Sequence, residues 1–316
     1  MSKIQKAACL AAACSVFAWA ETQPASTVPA RIIVTLGHLY GHQPPVLTPD
    51  DIVVSQGLDP VPITGLSNLR DRRLELFVLV DNCSSCEPGS RFDELRQFLT
   101  AQPPTTTIGV AYIQDGQLRI AEPLSSDRER VTKAINPPSG NPAKNPYRAL
   151  GDLINGWPAD SARHAVVMIT NGVDPADSDQ LVQDPIAERA IELAQRSRTT
   201  VFAIYHPSSD YVTTDTGKIY VGQVRLAHVA IETGGEGYFV SFGPSLSLAP
   251  FLADIADHLT NQYLLEFSAN PITSAGSLEE ITVRCKNSDI ELMAPAKVWI
   301  PGAERSKGTH RPRTTR

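Results

Sequence analysis

The sequence predicts an α/β fold: a doubly wound, mostly parallel sheet with helices on both faces, joined to a small β-sandwich module made from the two flanks of the chain. Three observations predict it. Apolar runs such as Leu74 to Val80 (LELFVLV) and Ala165 to Thr170 (AVVMIT) lack alternation, as strands buried on both faces require. Between residues 74 and 262 such runs alternate with helical segments, the mark of a parallel sheet covered on each side. Before and after that span the pattern is strand without helix.

The chain has 316 residues, 42% hydrophobic and 20% charged, which is ordinary globular composition. Met1 to Lys6 is a short basic start, Ala7 to Ala18 an apolar run, and Ala18-Trp19-Ala20 a small-x-small site before Glu21. Residues 1–20 are therefore expected to be a signal peptide cleaved after Ala20. One alternative is a membrane anchor, but that needs about twenty apolar residues, and this run ends sooner in Glu21, Thr22 and Gln23. The other is lipidation at Cys14, where Ala11 stands in place of the preferred Leu. No later segment is apolar for long enough to span a bilayer, so a secreted or periplasmic location is expected. The net charge of −6 becomes −8 once Lys3 and Lys6 leave, which argues against a nucleic-acid partner.

Residues 21–30, rich in Thr, Pro, Ser and Ala, read as a flexible lead. Residues 31–70 read as the N-terminal β segment of the flanking module. They include strands Arg31 to Gly37 and Asp51 to Ser55, with a turn or short helical turn over Thr48 to Asp51. These strands are too few to stand alone. The core, 71–262, begins with Leu74 to Val80 and the helix Arg91 to Thr100. A hairpin follows, from Thr107 to Ile113 and Gln117 to Ala121, turning at Asp115-Gly116. Next come helices Asp127 to Ile135 and Tyr147 to Asn155, then strand Ala165 to Thr170. Helix Pro185 to Ser197 leads to strand Thr200 to Tyr205, and helix Gln223 to Thr233 to strand Gly237 to Ser241. Leu248 to Gln262 closes the series as an amphipathic helix, with Leu248, Phe251, Leu252, Ile255 and Leu259 on one stripe. Residues 263–301 turn all β again, through Tyr263 to Ser268, Glu279 to Cys285 and Ile290 to Ile300, and are expected to join the N-terminal strands in a sandwich. Residues 302–316 carry Arg305, Lys307, Arg311, Arg313 and Arg316 with no apolar face, and read as a disordered basic tail.

The most informative segment is Leu79-Val80-Asp81-Asn82-Cys83-Ser84-Ser85, where a buried strand ends in a carboxylate and small polar residues. Here the chain resembles the von Willebrand factor A (vWA) family. In that family the strand ends in Asp-x-Ser-x-Ser, a Thr arrives from a second loop and an Asp from a third, and together they hold Mg2+ or Mn2+. The chemistry suits a hard cation, which takes oxygen ligands where sheet-edge loops converge. The resemblance covers residues 74 to 262 and implies a Rossmann-like sheet. The flanking Leu47-Thr48-Pro49-Asp50-Asp51-Ile52 and the Tyr-x-Leu-x-Phe strand resemble a secreted bacterial, acidobacterial-type subgroup with no established activity.

Position by position, the metal site implied by the resemblance is degenerate. Asp81 and Ser85 match. Cys83 stands for the first Ser, and a thiol is a poor ligand for a hard cation. Ala143-Lys144-Asn145-Pro146-Tyr147 aligns with Gly-Thr-x-Leu-Tyr, putting Lys144 where Thr belongs. Ile169-Thr170-Asn171-Gly172 resembles Ile-Thr-Asp-Gly, with Asn171 for Asp. No cofactor is expected; if Mg2+ or Mn2+ were retained, Asp81 and Ser85 would hold it. Lys144 is expected to pair its ammonium with Asp81, the alternative being that Asp81 caps its loop and Lys144 faces solvent.

After cleavage, Cys83, Cys86 and Cys285 remain, an odd number in an oxidising compartment. Cys83-Ser84-Ser85-Cys86 is a C-x-x-C between strand and helix, which supplies an alternative function as a thiol-disulfide redox protein. Glu87-Pro88-Gly89-Ser90 separates it from the helix end that would lower a thiol pKa, so a local structural disulfide of Cys83 with Cys86 is favoured. His38 and His42 lie in a Gly-flanked loop and His206 follows a strand; neither pattern makes a metal site. No nucleophile-elbow or P-loop motif occurs. The expectation is a protein without catalytic residues that binds a protein partner through the upper loops 81–90, 141–147, 171–184 and 206–220.

Overall fold

The computed structural model describes residues 27–37, 45–81, 90–114, 116–136, 145–157, 162–173, 184–206, 216–239 and 247–303. The N-terminal flank supplies β1 (Val28–Leu36), a 3-10 turn (Pro49–Asp51), β2 (Ile52–Gln56), β3 (Asp59–Pro60) and β4 (Ile63–Asn68). Asp51 shapes the turn: its Oδ2 accepts from the Thr48 amide at 2.7 Å and from Thr48 Oγ1 at 2.6 Å. The Leu47 to Ile52 segment thus has a local physical explanation, a carboxylate reaching back to order the turn before β2.

The core follows, with β5 (Leu74–Asp81), α1 (Ser90–Ala101), β6 (Thr106–Gln114), β7 (Gln117–Ser125), α2 (Arg128–Lys133) and α3 (Pro146–Asn155). It continues through β8 (Arg163–Thr170), α4 (Pro185–Ser197), β9 (Thr199–Tyr205), α5 (Thr216–Glu232), β10 (Gly237–Phe239) and α6 (Ala249–Thr260). Its six-stranded sheet has the order β10-β9-β8-β5-β6-β7, parallel except for the β6/β7 hairpin. The order reverses at the β8/β5 pair, so the sheet is doubly wound about that line. Side chains alternate across it. Leu76, Val78 and Val80 pack with Leu95 and Leu99 of α1 and Ile255 and Leu259 of α6. Phe77 and Leu79 pack with Tyr147 and Leu150 of α3, Ile191 of α4 and Leu226 of α5.

Helix ends are set by local chemistry. Asp184 Oδ1 accepts from the Ile186 amide at 2.8 Å and Pro185 occupies the first turn, which starts α4; Arg198 in the left-handed region ends it. The start of α6 is satisfied from another helix, because Glu94 of α1 accepts from the Leu248 and Ala249 amides and from Ser247 Oγ.

The C-terminal flank provides β11 (Gln262–Ala269), β12 (Ser277–Cys285), β13 (Leu292–Met293) and β14 (Lys297–Ile300). Two four-stranded sheets result, β13-β1-β11-β4 and β14-β12-β2-β3. They share one apolar core, with Ile32, Leu265 and Phe267 from the first meeting Val54, Ile281 and Val298 from the second. The sandwich is therefore built from both chain flanks.

Several sequence expectations need correction, among them the second hairpin strand, which runs to Ser125 and not to Ala121. The strand expected at Arg31 begins at Val28, so Val28, Pro29 and Ala30 of the supposed lead are β structure, paired with Ala269, Ser268 and Phe267 of β11. β3 and β4 were not anticipated, because the strand β11 that orders β4 lies at the far end of the sequence. The single strand read from Ile290 to Ile300 is two, interrupted at Pro295, which bridges to Thr233. Finally, α5 starts at Thr216 and not at Gln223, so part of the 206–220 loop is helix. Its first half contains Gly217, Val221 and Gly222, poor helix formers, and packing overrides propensity there.

Candidate functional site

Asp81 and Thr170 are the last residues of β5 and β8, neighbours whose register sets Val80 opposite Ile169. Both sit at the carboxyl edge of the sheet, at the line where strand order reverses. Thr170 Oγ1 donates to Asp81 Oδ2 at 2.6 Å, and the same hydroxyl oxygen accepts from the Gly172 amide at 3.2 Å. Asn171 is buried, and its Oδ1 accepts from the Val173 amide at 2.9 Å, closing an Asx turn over Gly172.

That turn is pinned from two sides. Gly172 has φ +68°, and a Cβ there would lie 2.5 Å from the Gly222 carbonyl oxygen on α5. Tyr147, fully buried on α3, donates its hydroxyl to the Gly172 carbonyl at 2.9 Å. Burial raises the Tyr147 pKa far above its ordinary value; Arg225 opposes the shift and Asp184 adds to it, so the phenol stays a neutral donor. The His206 amide, at the end of β9, donates to the Thr170 carbonyl at 2.9 Å. Asn145 begins α3 in the left-handed region and its Oδ1 accepts from the Arg148 amide at 3.0 Å.

Groups from β5, β8, β9, α3 and α5 thus converge on one edge. Of the positions singled out by sequence, Asp81 and Asn171 lie there. Cys83, Ser85, Cys86 and Lys144 lie outside the described residues, and Lys144 immediately precedes Asn145. Also outside them are the expected signal peptide with Cys14, His38 and His42, most of the supposed lead, and the tail from residue 304. Thr170, quoted in the loop motif without a role, is the residue that engages Asp81. Cys285 is a free thiol at the end of β12, half-buried beside β2. Among the described residues no helix is long and apolar enough to cross a membrane.

No family model and no curated protein sequence matches the chain. Solved structures do. Proximal thread matrix protein 1 from the mussel byssus is 14% identical, covering 62% of this chain and 50% of its own, with a TM-score of 0.42. This chain thus spans about half the length of that protein. The vWF domain of the type V pili tip protein Mfa5 from Porphyromonas gingivalis is 10% identical over 60% of this chain and 95% of its own, with a TM-score of 0.44. The pilus adhesin SpaC from Lactobacillus rhamnosus GG is 9% identical over 81% of this chain and 48% of its own, with a TM-score of 0.41.

Proposed function

We propose that the protein is an exported, non-enzymatic vWA-type protein. It binds another protein through the loops at the carboxyl edge of its parallel sheet, and that edge no longer takes Mg2+ or Mn2+. The observation that carries the proposal is the side-chain arrangement at Asn171. Where the family brings an acid to the cation, this chain brings a neutral amide already turned onto the Val173 amide. Asp81 does offer a carboxylate, with one oxygen engaged by Thr170. A hard cation that gives up water reluctantly needs more oxygen charge than that, so these residues do not fit Mg2+ or Mn2+. By the sequence resemblance Lys144 stands at the family's Thr position, and an ammonium brought there would oppose a cation. At about 4 Å from a divalent ion it would cost roughly several kcal/mol at a surface-like dielectric.

The binding half of the proposal rests on geometry. β5, β8 and β9 end at this edge and α3 begins there, and segments held by such a rigid scaffold are where binding residues concentrate. Calorimetric titration with Mg2+ and Mn2+ should give no saturable binding; a micromolar site abolished by Asp81→Ala overturns the cation half. Crosslinking capture from the native envelope fraction should recover a partner, and recovery should fall with Arg148→Glu, an exposed residue in the first turn of α3. Equal recovery by the variant overturns this surface as the contact.

A further inference from the structure

A second cluster lies on the face covered by α1 and α6, away from the edge where β5 and β8 end. Glu236 directly precedes β10, while Asp254 and His258 are one turn apart on α6. His258 Nε2 is 3.1 Å from Glu236 Oε2 and 3.1 Å from Asp254 Oδ2, and one donor atom from each residue lies within 4.8 Å of the others. His258 Nδ1 is 3.0 Å from the Leu36 carbonyl at the end of β1. A carbonyl only accepts, so Nδ1 carries hydrogen and Nε2 is the nitrogen presented to the two carboxylates.

The surroundings hold these groups in place. The His258 ring is 3% exposed and lies parallel to Phe202, with centroids 6.0 Å apart. Tyr238 donates its hydroxyl to Asp254 Oδ2 at 2.7 Å. A histidine anchored by a backbone carbonyl, and a carboxylate anchored by a phenol, are what outer-shell partners provide to metal ligands. The two acid side chains remain 25% and 29% exposed, so the donors open toward solvent on that side. Burial disfavours charge on His258. The Glu236 hydrogen bond, the Asp254 charge, the Leu36 carbonyl and the Glu236 charge outweigh it, holding the imidazole pKa above its ordinary value. Proton and cation would compete for the same three atoms.

We propose that Glu236, Asp254 and His258 form a site for a first-row divalent cation of Zn2+ type, with solvent completing its coordination. One imidazole nitrogen and two carboxylate oxygens suit such an ion. Bonds of about 2.1 Å in a tetrahedral shell put donors about 3.4 Å apart. The 3.1 Å spacings need a few tenths of an ångström more, within reach of half-open acid side chains. An ion here would tie α6 to the edge strand β10. Through the His258 to Leu36 bond it would also tie α6 to β1 of the sandwich. The i, i+4 spacing of Asp254 and His258 on a helix was legible in the sequence; their meeting with Glu236 was not.

The test is calorimetry with ZnCl2 on the chelator-treated full chain, with thermal unfolding in parallel. The wild type should bind one equivalent and gain in Tm. Glu236→Gln and His258→Gln should each weaken binding roughly tenfold or more, and Glu129→Gln, an exposed acid on α2, should leave it unchanged. Absence of saturable binding, persistence of it in Glu236→Gln, or its loss in Glu129→Gln overturns the site. If His258→Gln does not fold, Glu236→Gln and Asp254→Asn decide, since each keeps the size of a partly exposed side chain.

Discussion

Thr170 Oγ1 donates to Asp81 Oδ2 at 2.6 Å, joining the ends of two adjacent parallel strands at the line where the strand order of the sheet reverses. Loops diverge at such a line and leave room for a ligand. Here the hydroxyl, the carboxylate and the Asn171 turn are bonded to one another. The edge is organised by its own side chains.

Thr170→Val tests that organisation. The substitution keeps the shape, removes the donor to Asp81 and leaves the Gly172 amide without its acceptor. Hydrogen bonds to charged groups contribute about 1.5 to 3 kcal/mol, and a loss of that order is expected in urea unfolding. Thr170→Ser should restore most of it. Unchanged stability in the valine variant would show that the bond contributes nothing.

The close approach of α5 to the same edge gives a second test. In Gly222→Ala the new methyl would lie 2.5 Å from the Asn171 carbonyl oxygen and 2.8 Å from Val173 Cγ2. Backbone must shift, at a cost of about 1 to 3 kcal/mol. Gly151→Ala in α3 is the control, since its methyl would meet nothing nearer than Leu193 Cδ1 at 3.7 Å. It should gain about 0.5 to 1 kcal/mol from helix propensity alone. Equal effects of the two substitutions would refute the close approach.

Asp51 predicts a pH dependence in the sandwich. The Thr48 hydroxyl first and then the Thr48 amide hold its pKa below the ordinary 3.8; burial opposes them, and the charge of Lys286 adds the least of the four effects, downward. A carboxylate with a depressed folded pKa contributes stability above its unfolded value and loses it as pH falls through the folded one. Wild type should therefore exceed Asp51→Asn in urea midpoint near neutral pH, and the two should converge as pH drops well below 3.8. A difference that stays constant in acid would mean that the charge is not responsible.

The sequence by itself determined the features whose cause is local. Burial on both faces shows as unbroken apolar runs at Leu74 to Val80 and Ala165 to Thr170, and so the parallel core was legible. Asp184 and Pro185 write the start of α4, which runs over the expected residues. Gly116, at φ +76°, marks the β6/β7 hairpin. Asp81 and Asn171 could be placed on one edge because each follows such a strand.

Only the tertiary structure decided what depends on distant partners. β1 gains three residues because β11 pairs with them, and α5 gains its first turns by packing Gly222 on the Asn171 turn. Thr170 had no assigned role until β8 lay beside β5. Glu236, Asp254, His258 and the Leu36 carbonyl come from three separate elements, and no spacing along the chain announces their meeting. The physical reason is common to all of them. Periodicity and capping act between near neighbours, whereas strand pairing and the convergence of donors are set by how the sheets and helices cross in space.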